Sequence, residues 1–300
     1  MNLEHAATGG TRAQSRRYPI EPQAIPEVAL KSGPYTARFA KTRGDLEAAQ
    51  RLRFEVFNLE LGEGLQASYR TGRDEDQYDF NCHHLLVEHA PSGRVVGTYR
   101  LMSEQMAGDA GFYSHSEFHL ETLPAWLLSE GVELGRACVA PDHRGGRVIY
   151  LLWKGIAQYL AWNDRRYLFG CCSIPATDPA VGVRAQIQLA EQGYMAEGFS
   201  TRATRLCSCL GANATETQVE LPPLFKVYLD MGAKVCSEPA IDREFGVIDF
   251  LIVLDVEMLS DRTKQRMFGS KGAPGSIHRQ AAGASASERA TEVLASDYRH

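Results

Sequence analysis

No stretch of the 300 residues approaches the roughly 18 consecutive apolar positions that a membrane-spanning helix requires; the apolar run Phe250-Leu-Ile-Val-Leu254 is five residues long. The first residues carry no apolar segment of the secretory type either. Positive charge is not in excess. The 32 Lys and Arg against 37 Asp and Glu leave a net charge of −5, which excludes whole-surface attraction to nucleic acid. Seven cysteines make an odd count, and none form a C-x₂-C pair. Cys82-His83-His84, Cys171-Cys172 and Cys207-Ser-Cys209 lack the spacing of a structural zinc site, so no metal and no disulfide framework are expected. There is no G-x-S-x-G elbow to suggest an acyl-enzyme hydrolase. The reading is of a cytoplasmic chain with reduced thiols.

What is present is enough apolar content, 44%, for a sizeable core. Residues 1–34 are rich in Pro without periodicity and read as a loose leader. Residues 269–300 hold seven Ala, five Ser and four Gly and read as a disordered tail. The patterned chain between them, 35–268, is taken as one domain. Thr42 with Asp45 three residues later is a capping box, and Leu46, Ala49, Leu52, Val56 and Leu59 continue it as one apolar helical stripe. Pro91-Ser-Gly93 joins two strands in a hairpin. Strands are read at 132–139, 167–174 and 246–254, with helices after Gly146, after Asp178 and over 224–231. Ala203 to Glu220 reads as loop. Interleaved strands and helices with mixed pairing predict an α/β (α+β mixed) domain.

Three groups can carry chemistry. Arg144-Gly-Gly-Arg147 at a helix start offers backbone N–H groups and guanidinium groups to a phosphate; a plain glycine turn would look the same. Glu133 and Arg136, three apart on a strand, are expected on opposite faces. Arg100 interrupts a neighbouring strand, so Arg100 and Arg136 predict either structural ion pairs or a polar pocket at the sheet. Arg51-Leu-Arg-Phe-Glu-Val-Phe57 and the acidic run Asp74 to Asp79 form the third group. That run would be a solvated loop, a site for a cationic amine, or a support for the helix arginines.

Taken in order, several pieces resemble the ornithine acyl-carrier-protein N-acyltransferases of the GNAT superfamily, relatives of the acyl-homoserine-lactone synthases. They are Arg51 to Phe57, Cys82-His-His-Leu-Leu-Val87, Val96-Gly-Thr-Tyr-Arg-Leu101, Gly111-Phe-Tyr-Ser-His-Ser-Glu-Phe118, Glu133-Leu-Gly-Arg-Ala-Cys-Val139, Tyr167-Leu-Phe-Gly-Cys171, Pro222 to Ala233 and Ile241-Asp-Arg-Glu-Phe245. The resemblance implies a GNAT-type fold: a central mixed, mostly antiparallel twisted sheet flanked by helices, with a splayed acyl-donor cleft. It implies an acyl-carrier-protein-dependent transfer of a fatty acyl group, or its 3-hydroxy form, to the α-amine of an amino acid, ornithine first. Catalytic positions would be Glu133 as base, Arg136 and Arg100. Cys138, Val139, Arg144, Gly145, Gly146 and Arg147 would bind the phosphopantetheine donor, and Arg53, Phe57, Asp76 and Asp79 the acceptor. No cofactor is expected beyond the acyl-phosphopantetheine thioester, which is substrate. Partners are the acyl carrier protein, drawn by Arg144, Arg147, Lys154, Arg165 and Arg166, and the amino acid; peripheral association with the inner membrane stays open and nucleic acid is excluded. The alternatives are an N-acyl amino acid synthase for glycine or another neutral amino acid, a homoserine-lactone synthase, and, last, a non-catalytic acyl-thioester binding module.

Overall fold

The computed structural model describes residues 18–27 and 29–269. The expected tail, from residue 270 on, and the first half of the leader lie outside them. From Tyr18 the leader is tied to the body: the Ile20 carbonyl meets His83 Nε2 at 2.8 Å, and Trp162 and Asn163 donate to the Gln23 and Ala24 carbonyls.

One nine-stranded sheet organises the chain. Its strands are β1 (Leu30–Ser32), β2 (Tyr35–Phe39), β3 (His83–His89), β4 (Arg94–Ser103), β5 (Gly131–Val139), β6 (Tyr167–Ile174), β7 (Lys234–Val235), β8 (Ala240–Asp242) and β9 (Val247–Asp255). The spatial order is β1-β2-β3-β4-β5-β6-β9-β7, with β8 also on β9. Every pairing is antiparallel except β5 with β6. The helices are α1 (Arg43–Arg53), α2 (Ser68–Thr71), α3 (Glu104–Ala107), α4 (Ala125–Ser129), α5 (Arg147–Trp162), α6 (Pro179–Glu191), α7 (Pro223–Asp230) and α8 (Asp261–Phe268). This is the mixed α/β GNAT-type arrangement, and no described helix is long and apolar enough to cross a membrane.

Local chemistry explains most boundaries. Thr42 Oγ1 accepts from the Asp45 N–H while Asp45 accepts from the Thr42 N–H, so α1 starts on the reciprocal cap. Asp178 caps α6, with Pro179 at its first position, where the missing N–H costs nothing. Helix α5 lays Ile149, Leu152, Ile156 and Leu160 against the sheet, each burial contributing about 1.5–3 kcal/mol. Gly155 makes that approach close, since a Cβ there would lie 2.6 Å from Leu85 Cδ2.

The α1 stripe departs from the expected register at its end. Residues Phe54–Glu60 form a π-helical segment, which adds a residue per turn and rotates the side chains beyond it. Leu46, Ala49, Leu52 and Val56 are buried, but Leu59 is turned out to solvent, 61% exposed. Phe57 instead faces a cavity beside β5.

Candidate active site

Strands β5 and β6 pair only through Gly131↔Tyr167, Val132↔Leu168 and Glu133↔Phe169, then part. Gly170 sits at the fork, where a Cβ would come 2.2 Å from the Leu134 carbonyl oxygen. On its other edge β5 is bulged. Thr98 pairs with Cys138 but Arg100 pairs with Gly135, so Arg136 and Ala137 together oppose Tyr99, and Arg136 takes φ 52°. The extra residue inverts the alternation of side chains. Glu133 and Arg136, expected on opposite faces, therefore both line one cavity of about 330 Å³, and both touch Tyr113. Phe57, Arg100, Cys171, Ser173, Asp242 and Asp249 line the same space.

Glu133 is 5% exposed and held from three directions. It accepts from the Tyr113 N–H at 2.8 Å, the Ser114 N–H at 2.9 Å and the Ser114 hydroxyl at 2.5 Å. Burial raises its pKa above the usual carboxylate value, and the Ser114 and Tyr113 bonds oppose that rise. A carboxyl fixed in orientation, basic for its type and open to a cavity can take a proton from a bound group.

Behind the cavity lies a sealed ionic network. Arg53, 1% exposed, spans Asp74 and Asp79 with 2.8 Å bonds and also donates to the Asp74 carbonyl. Arg100 holds Asp76 at 2.6 Å and Asp79 at 3.1 Å; Arg136 holds Asp76 at 3.2 Å. Burial alone would raise the Asp79 pKa, but Arg53 and Arg100 hold it far below the ordinary range. Three guanidinium groups and three carboxylates thus neutralise one another, and the acidic run supports the arginines rather than lying in solvent. Arg53 and Asp79 do not reach the cavity. Arg136 keeps an unused donor: its Nε lies 3.4 Å from Asp74 Oδ2 but makes no hydrogen bond.

Toward the donor side, Cys138 and Val139 are buried on β5, and Arg144-Gly-Gly-Arg147 leads into α5 with Gly146 at φ 84°. Gly145 is exposed, with nothing within 4 Å of where a side chain would begin. Arg144 is paired bidentately with Glu60 at 2.6 and 2.7 Å. The five basic residues do not form one patch: α5, 16 residues long, separates Arg144 and Arg147 from Arg165 and Arg166 by about 24 Å. Arg166 is spent on Asp255 and Glu257.

Sequence reasoning did not find a second group of carboxyls. Glu117, Cys171 and Asp249 bring ligand atoms within 4.8 Å of one another, and Asp242 accepts from the Tyr113 hydroxyl at 3.2 Å. Burial together with Asp249 and Asp242 pushes Glu117 well above its ordinary pKa; burial pushes Asp249 up to about 6 against the Ser173 hydrogen bond. Glu117 and Asp242 lie inside two of the segments that carry the family resemblance, and Asp249 interrupts an apolar strand, which was the available signal. His83 and His84, by contrast, are core groups bonded to Tyr159, Ile20 and Asp79.

Residues 52–154 match the acetyltransferase (GNAT) domain family. An L-ornithine N(alpha)-acyltransferase of Brucella abortus is 34% identical, over 84% of this chain and 95% of that protein. Another, of Rhizobium meliloti, is 33% identical over 87% of this chain and 94% of that one. Among solved structures, an N-acyl amino acid synthase from uncultured soil microbes gives a TM-score of 0.46 at 10% identity, covering 75% of this chain and 93% of that one. The family assignment rests on the sequence relatives, which match nearly their full lengths. This chain is a GNAT-type N-acyltransferase and belongs to the L-ornithine N(alpha)-acyltransferase family.

Proposed function

We propose that this enzyme transfers a fatty acyl group from the phosphopantetheine thioester of an acyl carrier protein to the α-amine of ornithine. The observation that carries the reading is the fork between β5 and β6, with Glu133 beside its apex and a cavity beyond it. The names of the sequence relatives support ornithine as acceptor.

The extended pantetheine arm lies in the fork against backbone left unpaired by the parting strands, with its phosphate at Gly145, Gly146 and Arg147. The acceptor enters the cavity, where the guanidinium face of Arg136 that lines it meets its α-carboxylate. Glu133 removes a proton from the α-ammonium, directly or through a water molecule. The amine nitrogen attacks the thioester carbonyl, and the oxyanion is met by a backbone N–H near Cys138 or Val139. The tetrahedral nitrogen sheds its second proton to solvent as the C–S bond breaks and the C–N bond persists, and the proton taken up by Glu133 returns to the departing thiolate. A carrier-protein donor implies reaction in the cytoplasm, with the acylated product partitioning to the adjacent membrane face.

The test is mass spectrometry of lipids from a heterologous host expressing this chain. Accumulation of a mono-acylated ornithine supports the reading. Accumulation of acyl-glycine or another neutral acyl amino acid in its place would leave only the general N-acyl transfer.

A further inference from the structure

One end of the acceptor cavity is lined by Cys171, Asp242 and Asp249, with the Glu117 carboxyl directly behind Cys171 and Asp249. Arg100 and Arg136, the cations lining the cavity, lie at the other end, paired with Asp74, Asp76 and Asp79. Among the described residues, no Arg, Lys or His nitrogen comes within ion-pairing distance of Glu117, Asp242 or Asp249. Asp242 is occupied by the Tyr113 hydroxyl and by the Glu244 and Phe245 N–H groups, and Asp249 by the Ser173 hydroxyl. Glu117 is the exception. It is 3% exposed, its side chain bonds to Asp249 and its Oε2 meets the Cys171 thiol at 3.9 Å, but its Oε1 has no donor. A buried acceptor with no donor is costly, and such costs are retained where a ligand supplies the missing group.

We propose that Glu117 and Asp249 form the subsite for the side-chain ammonium of a basic amino-acid acceptor. The proposal rests on the N-acyltransfer reading and adds the determinant of acceptor choice. Position supports it. Glu133 pairs with Phe169, and Cys171 lies two residues further along β6, a step of about 6.6 Å. That is the scale of the aminoalkyl chain separating an α-amine at Glu133 from an ammonium at Glu117. Ser173 and Asp249 are register partners one step further, so the second carboxyl closes the same end. An ammonium offers three donors, which suits the open Glu117 Oε1 and the neighbouring Asp249 carboxyl. The sequence expectation had placed Asp76 and Asp79 in this role; both are already neutralised by arginine.

The experiment compares ornithine with norvaline, which has the same carbon chain without the terminal amine, using an acyl-carrier-protein donor. Wild type is expected to favour ornithine in kcat/KM by at least about 100-fold, because a site built for a donor rejects the analogue lacking it. Glu117→Gln and Asp249→Asn should each lower that ratio tenfold or more, and ornithine should no longer raise the thermal midpoint of either variant. A merely structural role would depress both substrates together and leave the ratio intact, which would overturn the proposal while wild-type ornithine acylation still upheld the function. Glu117→Asp, which retains charge, should retain more of the ratio than Glu117→Gln; equal loss in both would also count against the subsite. Removal of wild-type selectivity by EDTA would show a divalent cation as the occupant and overturn the ammonium assignment. Absence of ornithine acylation by wild type would instead defeat the functional reading on which the subsite rests.

Discussion

Replacing Arg53 by Met should unfold the enzyme early rather than weaken its grip on substrate. Arg53 is fully enclosed and makes three 2.8 Å hydrogen bonds to the carboxylates of Asp74 and Asp79. Met fills a similar volume but leaves two buried carboxylates short of their main counter-charge, although Arg100 and Arg136 still touch them. Breaking a buried pair in this way costs about 3–5 kcal/mol. For a chain of this size that corresponds to a melting-temperature drop on the order of 10 °C. Arg94→Met is the natural comparison, since the Arg94–Glu55 pair lies at the surface and such pairs contribute about 0–1 kcal/mol. Adding Asp79→Leu to Arg53→Met should recover part of the loss by removing one orphaned charge. Urea unfolding followed by circular dichroism reads all four proteins. If Arg53→Met melts within about 1 kcal/mol of wild type yet raises the KM for the amino acid, the network is an acceptor site and this reasoning fails.

Three further outcomes are expected. Glu133→Gln should lose about 10²- to 10⁴-fold in kcat while staying folded; near-normal turnover across the neutral range would remove Glu133 as base. Gly170→Ala would drive a Cβ into the Leu134 carbonyl and should cost stability and turnover together, so a variant with normal melting and rate contradicts the fork between β5 and β6. The Asp249 carboxyl is raised from 3.8 to about 6, so the folded state binds that proton more tightly than the unfolded state. Its contribution is present below about pH 4 and is lost as pH climbs to about 6. Asp249→Asn should flatten this fall in a pH series of thermal midpoints, and an unchanged slope would refute the assignment.

What the sequence disclosed and what it hid divide along the range of the interactions involved. The Thr42–Asp45 cap, the α5 stripe and the strand at Tyr167–Ile174 are local patterns, and each is found where expected. Leu59 was misplaced because a π-helical turn shifts register without any residue that marks it. Glu133 and Arg136 were separated by simple alternation, and only a bulge fixed by pairing with β4 brings them together. Arg53 and Asp79 carry the residue types of a binding site, but partners 26 positions apart in sequence close them into a neutral core. The carboxyl group of Asp249 on β9 meets Glu117, which sits in a turn more than a hundred residues earlier, a proximity no spacing reveals. Chemistry-bearing segments were therefore legible, and the division between support and site was not.

The most direct test of the account is a reconstituted reaction of the purified enzyme with an acyl carrier protein bearing a fatty acyl thioester and free ornithine, its product analysed by tandem mass spectrometry. The account predicts ornithine acylated on the α-nitrogen with release of the free carrier thiol, and loss of that product in Glu133→Gln. Acylation on the side-chain nitrogen, or thioester consumption without any amide product, would contradict it.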